Sequence, residues 1–286
     1  MDPLELVKLT ALMERTSGSP GVTIGLIDGP VVTQHPDLAG AHLREIPGKN
    51  GGTCTRANST ACLHGTFVAG ILSAKRNSPA PAICPNCTLL IRPIFAETTS
   101  GSEQIPSAMP HELAAAIIDC IDAGARVINL SLGLAHPSTQ GEQALDEALN
   151  HAVRRGVIVV AAAGNQGQNA AGYAPASCGN VVAVAAVDRN GGLTAYSNTG
   201  TQITVAAPGG IGTGADAILS SANSGTQSAA SDIPSVYLSR QGTSLAAAQV
   251  SGIASLVLSV KPALAPSQVE DLIRNTVRAF PANTTA

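Results

Sequence analysis

Short apolar stretches alternate with helical patterns along most of the 286 residues. Strands are predicted over residues 22–27, 88–94, 126–130, 157–162, 181–187 and 203–206. Apolar strands that alternate with helices indicate a parallel sheet covered by helices on both faces, with right-handed crossovers. Ligands of such sheets bind in the crevice at the carboxyl ends of the strands. The sequence therefore predicts an α/β fold with its functional site at that edge.

The composition limits the possible partners. Charged residues make up 12% of the chain and the formal net charge is −3, without a run of Lys or Arg. We therefore predict no nucleic acid partner and no membrane partner. Aromatic residues make up only 2%, so the core must be built from small aliphatic side chains packed against glycine.

The length fits one large domain with two short flanking segments. Residues 1–20 are predicted to form an amphipathic helix that packs on the domain at 21–280, and residues 281–286 a polar tail that links to a further domain. The N-terminus has no basic region followed by an apolar core, so no secretory signal is indicated and a cytoplasmic location is expected. Disulfides in loops would instead suit an oxidising compartment.

Three polar residues occupy positions at which the predicted elements begin or end. Asp28 ends the first strand, His64 opens a helix, and Ser244 lies in a small polar turn before an apolar helix that runs to residue 260. Unpaired backbone N–H groups at a helix N-terminus stabilise negative charge, which suits a serine that acts as a nucleophile. Taken alone, a serine at this position is also typical of an ordinary N-cap. A serine hydroxyl needs a neighbouring imidazole as base, and the imidazole needs a carboxylate to orient it.

The order Asp, His, Ser along the chain resembles the subtilisin-like serine proteases. The resemblance extends over residues 21–278 and rests on Asp28-Gly29, His64-Gly65-Thr66, Ser131-Leu132-Gly133, Ala161-Ala162-Ala163-Gly164-Asn165 and Gly242-Thr243-Ser244-Leu245-Ala246. It implies a subtilisin-like three-layer fold with a mostly parallel sheet. It also implies an endopeptidase that works through Asp28, His64 and Ser244 and an acyl-enzyme. The family usually has Thr or Ser where this chain has Gly29, and Met or Phe where it has Leu245; neither change removes a reacting group.

The same resemblance assigns residues around the nucleophile. Asn165 matches the side-chain donor of the oxyanion hole, with the Ser244 backbone N–H as the second donor; on its own Asn165 reads as a turn residue. The segment Ser131, Leu132 and Gly133 matches the edge that pairs with an extended peptide as an added strand. On its own that segment reads as a strand end followed by a turn glycine.

The specificity pocket is expected at Ala163, Gly164 and Tyr173, together with the preceding alanines. Tyr173 near the floor of this pocket would narrow it and favour smaller substrate side chains.

The six cysteines suggest disulfides more than a metal site. Cys54 and Cys62 would close a short loop before His64, and a loop this short contributes about 2–3 kcal/mol in the chain-entropy model. Cys84 and Cys87 are the second disulfide candidates, because their C-x-x-C spacing has no second pair to complete a zinc site. We predict no metal ligands and no required cofactor. A structural calcium ion remains compatible with the sequence, because family calcium sites use backbone carbonyls.

Within the family, Asp28-Gly29-Pro30, the leading helix up to Glu14 and the expectation that no prodomain precedes the first strand resemble the cyanobactin maturation proteases of the patellamide type. The resemblance implies an extended precursor peptide as the substrate, cut during maturation of a ribosomal natural product. Only 35 residues separate Asp28 from His64, which leaves little room for the helical insertion of the macrocyclase branch.

Three alternatives stay open: a broad-specificity degradative protease, an inactive peptide-binding pseudoprotease, and an α/β hydrolase or esterase. The order of the three polar residues argues against the last of these.

Overall fold

The computed structural model describes residues 3–56, 59–97, 108–135, 142–222 and 237–281. In chain order the strands are β1 Thr23–Asp28, β2 Leu43–Glu45, β3 Thr88–Pro93, β4 Val127–Leu130, β5 Leu134–Ala135, β6 Ile158–Ala162, β7 Tyr173–Ala174, β8 Val182–Val187, β9 Val205–Pro208, β10 Ile218–Ser221 and β11 Tyr237–Arg240. Seven of them form one sheet in the order β2-β3-β1-β4-β6-β8-β9. Every pairing in this sheet is parallel. The predicted α/β fold is confirmed.

Helices cover both faces of the sheet. They are α1 Pro3–Leu6, α2 Leu9–Arg15, α3 Thr60–Ser73, α4 Pro110–Asp122, α5 Glu142–Arg154, α6 Thr243–Val260 and α7 Pro266–Thr276. Side chains of a strand alternate between its faces. Ile24 and Leu26 of β1 accordingly join the core beneath α3 and α6, whereas Ile27 joins the core beneath α4 and α5. The two apolar cores make the strands buried on both sides.

Helix α6 is the central helix of the fold. Among the described helices it alone is long and apolar enough to cross a bilayer by length and composition, yet 72% of it is buried within the protein. It packs against β4, β6, β8 and β9 and against α3. Its apolar composition is therefore explained by its place in the core.

The structure corrects the prediction of one helix at the N-terminus. The segment forms α1 and α2, and the break falls at Lys8, whose φ of 54° is left-handed. Leu6, Leu9 and Met13 are buried, so both short helices lie against the domain. Of the predicted tail at 281–286, only Pro281 lies within the described residues.

The stretch rich in Ser, Gly and Ala over residues 210–231, which the sequence predicts as one long loop, contains a strand instead. Residues 218–221 form β10, which pairs antiparallel with β11. The small polar residues of β10 give no apolar strand pattern in the sequence. Ser220 is nevertheless buried, and its hydroxyl donates to the carbonyl oxygen of Phe67 at 2.7 Å. Residues 223–236, which include the end of that predicted loop, lie outside the described residues.

Candidate active site

The topology brings the predicted site residues to one edge of the sheet. The chain adds β3 on one side of β1 and β4 on the other, which makes the end of β1 a point where the strand order reverses and a ligand crevice forms. Asp28 is the last residue of β1, and Ser131 directly follows β4. Asn165 follows β6 by three residues.

Helix α3 carries His64 to the end of β1. The prediction that His64 opens this helix was wrong, because α3 begins at Thr60, where the Ser59 side chain accepts the N–H of Cys62 at 3.2 Å. A serine ahead of an apolar helical run is the usual N-cap signal, so this start could have been read from the sequence. His64 therefore lies in the second turn of α3.

Asp28 and His64 form a close, shielded pair. Nδ1 of His64 lies 2.7 Å from Oδ1 of Asp28, which also accepts the N–H of Gly29 at 2.7 Å. The carboxylate side chain is fully buried, whereas the imidazole is 17% exposed. Because Nδ1 faces the carboxylate, Nε2 is the nitrogen that remains for a substrate-side proton.

Two opposing effects set the pKa of His64. Burial lowers this pKa, whereas the charge of Asp28 and the hydrogen bond to it raise the pKa, and the net result lies above the ordinary 6.5. The imidazolium form is thus favoured by its carboxylate partner.

We expect peptide hydrolysis to increase with pH through the pKa of His64, because only the neutral imidazole can accept the serine proton. The midpoint of this acid limb should lie above pH 6.5, since the folded-state pKa is raised. The measurement is kcat/KM from about pH 5 to about pH 10 with a peptide that has no titratable side chain. A midpoint below 6.5 would contradict the Asp28–His64 pairing in solution.

Ser244 is the second residue of α6 and is tied to the segment after β4. Its hydroxyl donates to the carbonyl oxygen of Ser131 at 3.0 Å, and the Ser131 hydroxyl donates to the carbonyl oxygen of Ser244 at 2.8 Å. Nδ2 of Asn129 donates to the Ser131 hydroxyl at 2.8 Å. Among the described residues no hydrogen bond joins Ser244 to His64. Hydrogen bonds between a nucleophile and its base often form only when substrate binds. For the Ser244 hydroxyl to reach His64, its hydrogen bond to Ser131 must first break.

The Asn165 side chain is oriented by Thr243. Both the backbone N–H and the hydroxyl of Thr243 donate to Oδ1 of Asn165, at 2.9 and 2.8 Å. The amide oxygen is therefore engaged, and Nδ2 is the group left to donate to a substrate. The N–H of Ser244 is among the first of α6, where helices have no internal acceptor.

A cavity of about 210 Å³ lies beside these donors. It is lined by Leu132 and Gly133, which the sequence assigns to the substrate edge, and by Gly164 and Tyr173, which it assigns to the specificity pocket. Strand β5, just after the edge segment, pairs antiparallel with β7, which contains Tyr173. The Tyr173 hydroxyl donates to Oε1 of Gln168 at 2.7 Å, which restrains this lining side chain.

The placement of Ala163 in the pocket wall is corrected by the structure. The cavity is lined by its neighbours Ala162 and Gly164, whereas the Ala163 side chain is fully buried. Side chains alternate between the two sides of an extended segment, so an assignment shifted by one residue names a side chain that points away from the pocket.

Asn198 supports the site, and nothing in the sequence indicates this role. This fully buried amide donates from Nδ2 to the carbonyl oxygen of Ala163 and to Oε1 of Gln166, both at 2.9 Å. Its Oδ1 accepts the N–H groups of Gln166 at 3.1 Å and Gln168 at 2.9 Å. It thereby holds the loop that contains Asn165. An isolated Asn in a turn-rich stretch carries no signal of such a role.

The disulfide candidates are bonded in the structure as Cys54–Cys62 and Cys84–Cys87. Cys54 and Cys62 also lie within 4.8 Å of a carboxylate oxygen of Glu97. Both sulfurs are consumed by the disulfide, so this group does not supply thiolate ligands. The Glu97 carboxylate accepts the N–H of Thr55 at 2.8 Å and restrains the same loop.

The two free cysteines are poor nucleophiles. Burial raises the pKa of the Cys120 thiol to about 12 and that of Cys178 to about 11. The thiolate is the reactive form of cysteine, so at neutral pH neither competes with Ser244 as a nucleophile.

A buried Asp–His pair, a serine at a helix start and an amide donor beside a cavity form the arrangement of a serine hydrolase that works through an acyl-enzyme. The chain belongs to the subtilase family of serine proteases, whose family profile matches residues 19–285. The subtilisin-like three-layer fold implied by the sequence motifs is thus confirmed.

Two curated relatives illustrate the match. The chain is 38% identical over 236 residues to the extracellular protease of Xanthomonas campestris pv. campestris, covering 76% of this chain and 36% of that protein. It is 31% identical over 279 residues to subtilisin DY of Bacillus licheniformis, covering 96% of this chain and 89% of the relative. The chain thus spans about a third of the first protein and most of the second.

Two solved structures are also similar to this fold. The prenylagaramide maturation protease PagA matches with a TM-score of 0.78 and 28% identity, over 97% of this chain and 91% of that one. A mutant of the protease domain of PatA matches with a TM-score of 0.78 and 29% identity, over 93% and 90% of the two chains. A further structure of PatA is named as the patellamide maturation protease.

Proposed function

We propose that this subtilase cuts a flexible precursor peptide at a defined site. The observation that carries the proposal is the similarity to two maturation proteases over nine-tenths or more of both chains. The extracellular protease and subtilisin DY support the general chemistry of peptide hydrolysis but not this choice of substrate. The family makes the protein a serine protease, and the precursor peptide is the proposed substrate.

Substrate binding follows from the edge segment and the cavity. An extended peptide pairs its backbone with residues 131–133 as an added strand and places its scissile carbonyl between Ser244 and Asn165. Several consecutive residues must be unstructured to do so, which excludes folded helices and strands. Tyr173 limits the cavity and favours a small or medium side chain before the cut, although one methylene discriminates by only about 1–3 kcal/mol.

The reaction proceeds in two half-reactions. Nε2 of His64 accepts the Ser244 proton as Oγ attacks the carbonyl carbon, and Asp28 stabilises the imidazolium. Nδ2 of Asn165 and the Ser244 N–H donate to the oxyanion, and His64 then passes its proton to the leaving amine. Water is the proposed acceptor of the acyl group: Nε2 of His64 accepts a proton from the attacking water, the bond between the acyl carbon and Ser244 Oγ breaks, and the proton passes to that oxygen. The short interval between Asp28 and His64 offers little to shield the intermediate from water.

Every group in this scheme is a side chain or backbone group of the chain itself. We infer that the chemistry needs no cofactor. A calcium ion bound by backbone carbonyls would act on loop stability and not on the reacting atoms.

We expect the purified protein to cut a leader-bearing precursor peptide at one position and to digest casein slowly. Mass spectrometry of both reactions over the same time course measures the difference, with Ser244→Ala protein as the blank. Tyr173→Ala should broaden the residues accepted before the cut, whereas Tyr173→Phe should retain the preference. Rapid, unselective digestion of casein would favour a degradative protease, and a head-to-tail cyclic product would refute water as the acceptor.

A further inference from the structure

The backbone of helix α3 lies directly on the residue that follows Asp28. A Cβ atom built on Gly29 would lie 1.9 Å from the carbonyl oxygen of Ala61 and 2.5 Å from its carbonyl carbon. On the facing side, a Cβ atom built on Gly65 would lie 2.5 Å from the carbonyl oxygens of both Gly29 and Pro30. Because these contacts are with backbone atoms, no flexible side chain can move aside to make room.

This contact lies next to the hydrogen bond between Asp28 and His64. Gly29 donates its N–H to the same Asp28 oxygen that lies 2.7 Å from Nδ1 of His64. Ala61 and His64 are three residues apart, so they lie on the same face of α3 about one turn apart. A side chain at position 29 must therefore move the part of α3 that carries the imidazole.

Among the described residues, the Asp28 carboxylate makes no second hydrogen bond to His64 that could compensate. Oδ2 of Asp28 is buried and makes no hydrogen bond to any of the described residues. Oδ1 alone thus receives the imidazole. A displacement of α3 would weaken the hydrogen bond that joins the two side chains.

We propose that Gly29 is a positioning residue, whose missing side chain lets α3 approach β1 closely enough for Asp28 to hold His64. The proposal rests on the proposed catalytic role of this pair. It also gives a reason for the departure from the family pattern: the usual Ser or Thr at this position would not fit between β1 and α3 as they are packed here. Restoring the family residue should therefore impair the enzyme.

The first test is the titration of His64 by NMR, which needs no substrate. Asp28 is the charged group whose interaction shifts the pKa of His64 among the described residues, and that interaction raises it. In Gly29→Ala and Gly29→Ser we expect a lower pKa for His64 than in the wild type, with His64→Ala used to assign the signal. Gly51→Ala is the matched control, because a Cβ atom there meets nothing within 4 Å.

The second test is turnover per active site, measured with the preferred peptide. Misplacement of a reacting group by about 1 Å can cost about 10²-fold, so we expect kcat of both Gly29 variants to fall by about that factor with little change in KM. Gly51→Ala should keep wild-type kcat. A wild-type protein that cuts no peptide would refute the proposed function alone, because the NMR titration still tests Gly29.

Two results would overturn the proposal. One is an unchanged pKa of His64 in folded Gly29→Ala protein, whatever happens to its activity. The other is failure of both Gly29 variants to fold while Gly51→Ala folds, which would make the contact a requirement of folding and not of positioning.

Discussion

Replacing either Ser244 or His64 with alanine should lower the turnover number for peptide hydrolysis by about 10⁶-fold, the size of effect known for the equivalent residues of subtilisin, a member of the same family. Both side chains act together in one proton transfer, so removing one should cost about as much as removing both. Neither substitution should unfold the domain, because the small Ser244 side chain and the partly exposed imidazole contribute little apolar burial. The measurement is kcat together with the circular dichroism spectrum and the melting temperature.

A second serine of α6 and an exposed histidine elsewhere in the chain provide matched controls. Ser259 lies in the last turn of α6, where its hydroxyl donates to the carbonyl oxygen of Ser255 at 2.7 Å. His42 is an exposed histidine before β2. Ser259→Ala and His42→Ala should retain wild-type turnover. Retention of wild-type turnover by Ser244→Ala would refute the assignment of the nucleophile.

The second large effect is expected for Asn165→Ala, which should lower kcat by about 10²–10³ while KM changes little. The Nδ2 donor acts on the oxygen only after negative charge develops there, so its loss removes stabilisation of the transition state and not of the bound substrate. This magnitude is also known from subtilisin. Steady-state kinetics with one peptide at saturating and subsaturating concentrations separates the two constants.

An exposed amide serves as the control for Asn165. Oδ1 of Asn150 on α5 accepts a hydrogen bond from Asn180 at 2.9 Å in an exposed position, and Asn150→Ala should leave both constants unchanged. A rise in KM with unchanged kcat in Asn165→Ala would indicate that this amide binds the ground state, contrary to an oxyanion role.

The sequence predicted the parts of this structure that depend on local pattern. The sheet strands are apolar on both faces, and Asp28 and Ser244 stand at a strand end and a helix start, so topology alone brings them to one edge. The N-cap at Ser59 is a local signal of the same kind, because a serine ahead of an apolar helical run marks a helix start. Strand β10 was missed because its buried positions include Ser220 and Ser221, which do not look like a core.

The remaining features depend on contacts between segments far apart in sequence. Asn198 holds the loop on both sides of Asn165 through hydrogen bonds to residues 30 to 35 positions away in the sequence. The reciprocal bonds between Ser131 and Ser244 span 113 positions. The tight contact of Gly29 with Ala61 could be seen in the sequence only as a departure from a family pattern. Such contacts have no local signature, because neither partner changes the hydrophobic period of its own segment.

The central claim is that Ser244, activated by His64, forms the acyl-enzyme. A fluorophosphonate reacts covalently with an activated serine, and the mass of the intact protein followed by peptide mapping locates the adduct. We predict one adduct per chain, at Ser244 and absent in His64→Ala within the same labelling time. An adduct on a different residue, or none in folded wild-type protein that cuts peptides, would contradict the account.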